Sequence, residues 1–326
     1  MEKLFYWLET FLTKQVSRGK FLKLCFGGLL FFLSQNQFLK LAFAKSVEMP
    51  GRVPKGIKGK YDLVVAEGND PYQNTVKAIE SMGGMGLFVR KDALVVIKPN
   101  MAWDRTPAQA ANTDPNVVAA LVDLAYKAGA KRVNIFDVPC NDQQRVYERS
   151  GIAEAAKAKG AYVYFADHWN VVKAKFPYKS SMSGWPILRD AVVCDTFINV
   201  PVLKHHSLAG MTLSMKNLMG ICSGQRGLMH IGIGKKLVDI TDYISPELTV
   251  IDATRVLTKN GPSGGSLKDV ISLNKIIVAT DSTLADTYAC SLMNKDPMEV
   301  PNIKEAVGRG FGSADLTKAN LFTIQV

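Results

Sequence analysis

At 326 residues the chain is long enough to bury a large core, so it needs neither disulfides nor a structural metal to fold. Its 47% hydrophobic and 21% charged residues exclude disordered and collagen-like classes. The net charge of +11 is unevenly placed: residues 1–60 carry eleven Lys/Arg against three Glu, which leaves only +3 for the rest and gives no reason to expect a nucleic-acid partner.

The first segment, residues 1–44, reads as an export leader. Residues 14–23 make a positive n-region, residues 24–33 an apolar stretch, and Ala42-Phe-Ala44 a small-residue cleavage site. Ser17-Arg-Gly-Lys-Phe-Leu-Lys23 looks like the twin-arginine motif with Gly19 in place of the second arginine. The mature protein is then expected outside the cytoplasm, in the periplasm. An uncleaved amphipathic anchor or a non-exported N-terminal helix is the alternative, and membrane association is expected only if the segment is uncleaved. Residues 45–60, with Pro50, Gly51, Pro54, Gly56 and Gly59 among lysines, read as a flexible basic linker.

Residues 61–326 read as a single α/β domain. Strands are expected at 63–66, 93–97, 133–138, 162–165, 191–200, 248–252, 276–279 and 321–326, from short continuous apolar runs. Helices are expected at 71–82, 116–127, 146–159 with a break near Gly151, and 282–292. Asp70-Pro71 and Asp114-Pro115 mark two helix starts, Asp as cap and Pro in the first turn. Apolar strands alternating with amphipathic helices predict a mainly parallel sheet flanked by helices, Rossmann-like. The less regular stretch around 167–245 reads as an inserted cap region.

Ligands of an open α/β sheet sit beyond the carboxyl ends of its strands. Lys98 and Asn100 follow the expected strand 93–97, Asp137 and Asn141 flank the end of the next, and Lys204-His-His206 follows the apolar run through Leu203. Three of the four histidines lie between residues 205 and 230. His205 and His206 are adjacent, so on an extended segment they point to opposite sides, and His206 is the one assigned to the site. A helix-like run, 208–219, follows it. Lys216, among Met211, Leu213, Met215, Leu218 and Met219, either snorkels to solvent or is desolvated with a lowered pKa. A desolvated lysine suits a base, a Schiff-base former or a cofactor anchor. His206 and Lys216 are therefore the expected catalytic residues. Lys98, Asn100, Lys204 and Arg226 are expected to bind a cofactor or an anionic small molecule, and His230 a metal. Gly261-Pro-Ser-Gly-Gly265 lacks P-loop or dinucleotide spacing and reads as a surface turn, with anion binding by its backbone as the alternative.

Cysteines stand at 25, 140, 194, 222 and 290, none in a C-x-x-C or ferredoxin spacing. Buried free thiols are expected, with disulfides as the alternative.

Val95-Val-Ile-Lys-Pro-Asn100, Thr113-Asp-Pro115, Asn199-Val-Pro-Val-Leu-Lys-His-His206, Lys216-Asn-Leu-Met-Gly220, Gly261-Pro262 and Val278-Ala-Thr-Asp281 together resemble, in order, the uncharacterised family called domain of unknown function 362. That family is sometimes described as iron–sulfur-associated, and many of its members carry an appended ferredoxin-type module. This chain lacks the module's cysteines, so no intrinsic iron–sulfur cluster is expected, and a redox partner protein joins the expected partners. A more remote resemblance is to nickel-pincer lactate racemase, in which a histidine acid/base, a lysine near the cofactor and a nickel-ligating histidine share one region. His206, Lys216 and His230 occur here in similar order, which implies nickel or a nickel-pincer-type cofactor. That family's N-terminal histidine and acidic–arginine motif have no counterpart; Lys98-Pro-Asn100 stands in their place. The expected function is an exported enzyme, redox or racemase-like, acting on an anionic small molecule or cofactor at the strand ends. A non-catalytic ligand-, metal- or redox-accessory protein is the alternative.

Overall fold

The computed structural model describes residues 47–166 and 169–326. The expected leader, residues 1–44, lies outside the described residues, as does His168. Among the described residues no helix is long and apolar enough to cross a membrane.

In chain order, β1 (Glu48–Pro50) is followed by β2 (Leu63–Glu67), α1 (Pro71–Met82), β3 (Leu94–Pro99), α2 (Pro115–Lys127) and β4 (Arg132–Ile135). Helices α3 (Gln143–Arg149) and α4 (Ile152–Ala158) lead to β5 (Tyr162–Val163), then β6 (Val171–Lys175) and β7 (Pro186–Leu188). A short helix α5 (Arg189–Val193) precedes β8 (Thr196–Val200), the hairpin of β9 (Val202–His206) and β10 (Gly210–Thr212), and the one-turn helix α6 (Ser214–Asn217). Helix α7 (Ile233–Ile244), the long strands β11 (Leu248–Leu257) and β12 (Val270–Ala279), helices α8 (Ser282–Ser291) and α9 (Pro301–Gly308), and β13 (Leu321–Gln325) complete the chain.

The main sheet runs in the order β13-β2-β12-β11-β8-β3-β4-β5, with β9 beside β11 and β10 beside β9. Most pairings are parallel; β12 is antiparallel to both its neighbours, β11 and β2, and β10 to β9. Successive strand residues enter opposite cores. Val64, Ala66, Val95, Ile97, Ile276 and Val278 pack under α1 and α2, whereas Val96 and Phe197 meet α6 and α7. Leu63, Val65, Ile277 and Ala279 meet α8. Burial on both faces is why these strands read as continuous apolar runs rather than alternating ones. Each fully buried aliphatic contributes about 1.5–3 kcal/mol. Asp70, Asp114 and Asp281 cap α1, α2 and α8 by accepting backbone N–H bonds. Gly151, at φ +71°, takes the left-handed turn that separates α3 from α4.

Several local expectations are corrected. Residues 189–193 are helical, so the strand expected over 191–200 is shortened to β8. The run 208–219, read as one helix from its spacing, begins as a turn and β10 and becomes helical only from Ser214, as α6 continued by a 3-10 turn over Leu218–Ile221; Asp286 starts that short helix by accepting the N–H groups of Ser214 and Met215. Asp252 lies inside β11, not at a strand end. Residues 47–60 are not a free linker. β1 pairs with β6, and Arg52 donates to both carboxylate oxygens of buried Glu247 at 2.8 Å. Glu247 in turn accepts the backbone N–H of Phe197 at the start of β8.

Candidate functional site

The carboxyl end of β3, the loop after β4, the β9–β10 hairpin, α6 and the segment after it enclose a cavity of about 440 Å³. Lys98, Asn100, Lys204, His206, Lys216, Arg226 and His230 all line it. His205, whose ring accepts the backbone N–H of Gly261 at 3.2 Å, does not.

The floor is a closed polar network. Lys98 is 1% exposed, and its three N–H bonds go to Asp137 Oδ2 (2.9 Å), the Pro99 carbonyl (2.6 Å) and Asn217 Oδ1 (3.1 Å). Asn217 donates onward to the Lys98 carbonyl and to Asn199. Asp137 Oδ2 also accepts the Met101 N–H at 2.7 Å. Burial pulls the Lys98 pKa down and pushes that of Asp137 up, while their mutual attraction opposes both shifts. The pair is net neutral whether or not the proton crosses between them. Gly220 covers it so closely that a Cβ there would lie 1.9 Å from Asp137 Oδ1 and 2.6 Å from Lys98 Nζ. Asn100 is held through its backbone, which exchanges bonds with the side chain and N–H of Thr113.

Three further cations face the cavity without a carboxylate partner among the described residues. Lys204 is fully buried, gives one bond to the Ala111 carbonyl and lies 5.8 Å from the centre of the Trp103 ring. Lys216 has no hydrogen-bond or ion-pair partner among the described residues, and Arg226 donates to the carbonyls of Val138 and Pro139. Burial lowers Lys204 to about 7 and Lys216 to about 8. Lys216 is thus largely desolvated rather than snorkelling to solvent.

The two histidines are complementary. His206 Nδ1 accepts the N–H groups of Leu208 and Ala209, each at 3.2 Å, which leaves the ring proton on Nε2. Burial, then the charges of Lys216 and Lys204, drive its pKa to about 3, so it is a neutral donor rather than a proton exchanger near pH 7. His230 Nδ1 lies 3.2 Å from the Gly227 carbonyl, which can only accept, so the free lone pair is on Nε2. The rings are 5.9 Å apart. Buried His230 Nε2, Asn100 Oδ1 and Asp137 Oδ1 find no hydrogen-bond partner among the described residues.

Sequence reasoning placed Asp137 at a strand end without giving it a task, and missed Asn217, Trp103 and Cys140, which also line the cavity. Asn217 was visible as the neighbour of Lys216; Trp103 and Cys140 lie in loops whose paths no periodicity reveals. The Gly261–Gly265 turn contributes Pro262 to the wall. The described cysteines are free thiols; Cys222 and Cys290 are buried as expected, Cys194 is half-buried, and Cys140 is exposed. A metal held by side chains alone does not fit, because no three His, Cys, Asp or Glu among the described residues converge.

A Synechocystis protein named thylakoid-associated protein sll1697 is 28% identical over 261 residues, covering 73% of this chain and 75% of its own. The lactate racemase apoprotein of Thermoanaerobacterium thermosaccharolyticum is 13% identical with a TM-score of 0.49, the match covering 75% of this chain and 61% of that one. A structural-genomics target from Thermotoga maritima is 14% identical with a TM-score of 0.43, over 70% of this chain and 60% of its own. The sequence profile of the family described as Domain of unknown function (DUF362) matches residues 95–291, from β3 through α8, the span that builds the whole cavity, and the chain belongs to that family.

Proposed function

We propose that the protein binds an anionic small molecule in this cavity and acts on it by proton transfer. The observation that carries this reading is the convergence of Lys204, Lys216 and Arg226, none paired with a carboxylate, on the same space as three unsatisfied acceptor atoms. Such a floor favours a ligand that brings negative charge and also hydrogen-bond donors, such as a hydroxyl. Lys98 has no free donor, so the role of charge partner passes to Lys204, Lys216 and Arg226. His230 Nε2, as a neutral base, takes a proton from the bound molecule; His206 Nε2–H donates to the oxygen on which charge develops. Lys216, lowered to about 8, exists in both protonation states near neutral pH and returns a proton. No step is assigned to a metal.

The test is calorimetric titration with acetate, malate and phosphate, alongside NMR of each carbon acid in D2O. Lys216→Met is expected to weaken binding on the order of tenfold or more. Deuterium entering next to the carboxylate, lost in His230→Gln, supports catalysis. Binding without exchange turns the reading into that of a non-catalytic binder. No binding of any anion overturns it. The leader pattern supports a location outside the cytoplasm, checked by N-terminal sequencing of protein from the native host: a start at Lys45 supports export.

A further inference from the structure

The cationic floor accounts for only part of the cavity. Its walls are largely apolar, made by Trp103, Val138, Met219, Pro262 and Leu208. At about 30 Å³ per water, 440 Å³ holds roughly 15 water-sized groups, and a two- or three-carbon acid leaves more than half of that unfilled. The segments bordering the cavity also leave large aliphatic side chains in water. Leu208, on the wall, is 72% exposed; Leu228 and Ile231, flanking His230, are 48% and 71% exposed. Single exposed aliphatics are ordinary, but Leu208 lines the cavity, and Leu228 and Ile231 each follow a cavity-lining residue, Gly227 and His230, so the rim segments carry a concentration of exposed apolar surface. His230 also borders a second, open groove, whose lining mixes Ile233, Met298 and Pro301 with Lys235, Glu299, Lys304 and Glu305.

We infer that the ligand is an amphipathic anion: a compact acidic head among Lys204, Lys216 and Arg226, and an apolar tail that runs past Trp103 and Met219 and leaves between Leu208 and Ile231. This rests on the anion reading above and adds the tail to it. The polarity of the site is thereby ordered along one line, charge at the strand ends and hydrocarbon at the opening. A polar mouth would strip no water from a tail; an apolar one does so without any directional contact.

Titration at pH 7 with acetate, hexanoate and decanoate, below micelle formation, separates the two readings. Affinity is expected to rise two- to fourfold per methylene that meets the wall, and at least tenfold from hexanoate to decanoate. Leu208→Ser and Ile231→Ser change exposed side chains, so both should fold, and each is expected to weaken decanoate at least threefold more than it weakens acetate. Equal affinity for acetate and decanoate overturns the tail and leaves the anion reading standing. Equal binding of decanoate and decyltrimethylammonium overturns the anion reading instead. Chain-length dependence that survives both serine variants overturns the assigned exit. Co-sedimentation with phosphatidylglycerol vesicles in the absence of decanoate binding also overturns the inference, in favour of a membrane surface.

Discussion

Lys98 and Asp137 owe their state to each other: neither would tolerate full burial alone, and Gly220 seals them in. Asp137→Ala is expected to cost about 3–5 kcal/mol, because an unpaired lysine remains in the core. Lys98→Met with Asp137→Leu should recover most of that loss in urea unfolding, and a double variant as unstable as the single one would show that the pair is not the cause. The lysines of the cavity make a second expectation at this scale. Lys204 and Lys216, depressed from 10.5 to about 7 and about 8, carry their charge fully only below that window. Affinity for an anion should therefore fall as pH rises through 7 to 8.5. Stability of the ligand-free protein should rise over the same interval, since the unfolded chain then binds more protons than the folded one. Calorimetry and thermal melts from pH 6.5 to 9 check the two opposed slopes, and Lys216→Met should flatten both. The identities of these residues were legible in the sequence; the histidines' division of labour was not. It depends on which ring nitrogen meets the N–H groups of Leu208 and Ala209 and which meets the carbonyl of Gly227, and backbone position carries no residue-type signal.

At the scale of elements, α6 is the part whose shape matters most and was read least well. One helical turn cannot hold itself. It is set from outside by Asp286 on α8, which accepts from Ser214 and Met215 while burial raises its pKa to about 7. Asp286 thus positions Lys216 and Asn217 without touching the cavity. Asp286→Ala is expected to cost about 1–2 kcal/mol, as for loss of a helix cap, and to weaken anion binding as well; Asp286→Asn should restore part of both. Full anion affinity in the alanine variant, measured by titration, would show that Asp286 only stabilises. The apolar spacing of 208–219 invited a single helix because Met211, Leu213, Met215, Leu218 and Met219 are all buried, yet they serve two different cores, Met211 and Leu213 from β10 and its end, the others from a short helix. Long periodic helices such as α1 and α2 were readable because cap, period and terminating residues agree there.

For the molecule as a whole, the parallel core of the sheet was legible from its apolar strands, whereas the antiparallel placement of β12 was not, because pairing direction leaves no mark on a strand buried on both faces. The docking of residues 47–60 was hidden for a related reason. Pro, Gly and Lys are what a linker has, and one arginine meeting a distant glutamate decides otherwise. Arg52 and Glu247 are 5% and 2% exposed, and Lys55 Nζ also lies 3.3 Å from Glu247 Oε1, so Arg52→Ala, which removes the bidentate bonds but leaves Lys55, should cost about 1.5–3 kcal/mol; a melting temperature unchanged from wild type would show that the strap is passive. The thiols offer a last consequence. Burial raises Cys222 and Cys290 to about 12, while Cys140 lies exposed on the cavity wall. The protein therefore carries its own occupancy gauge: iodoacetamide should label Cys140 first, and a seated ligand should slow that labelling, whatever its identity and before any turnover assay exists.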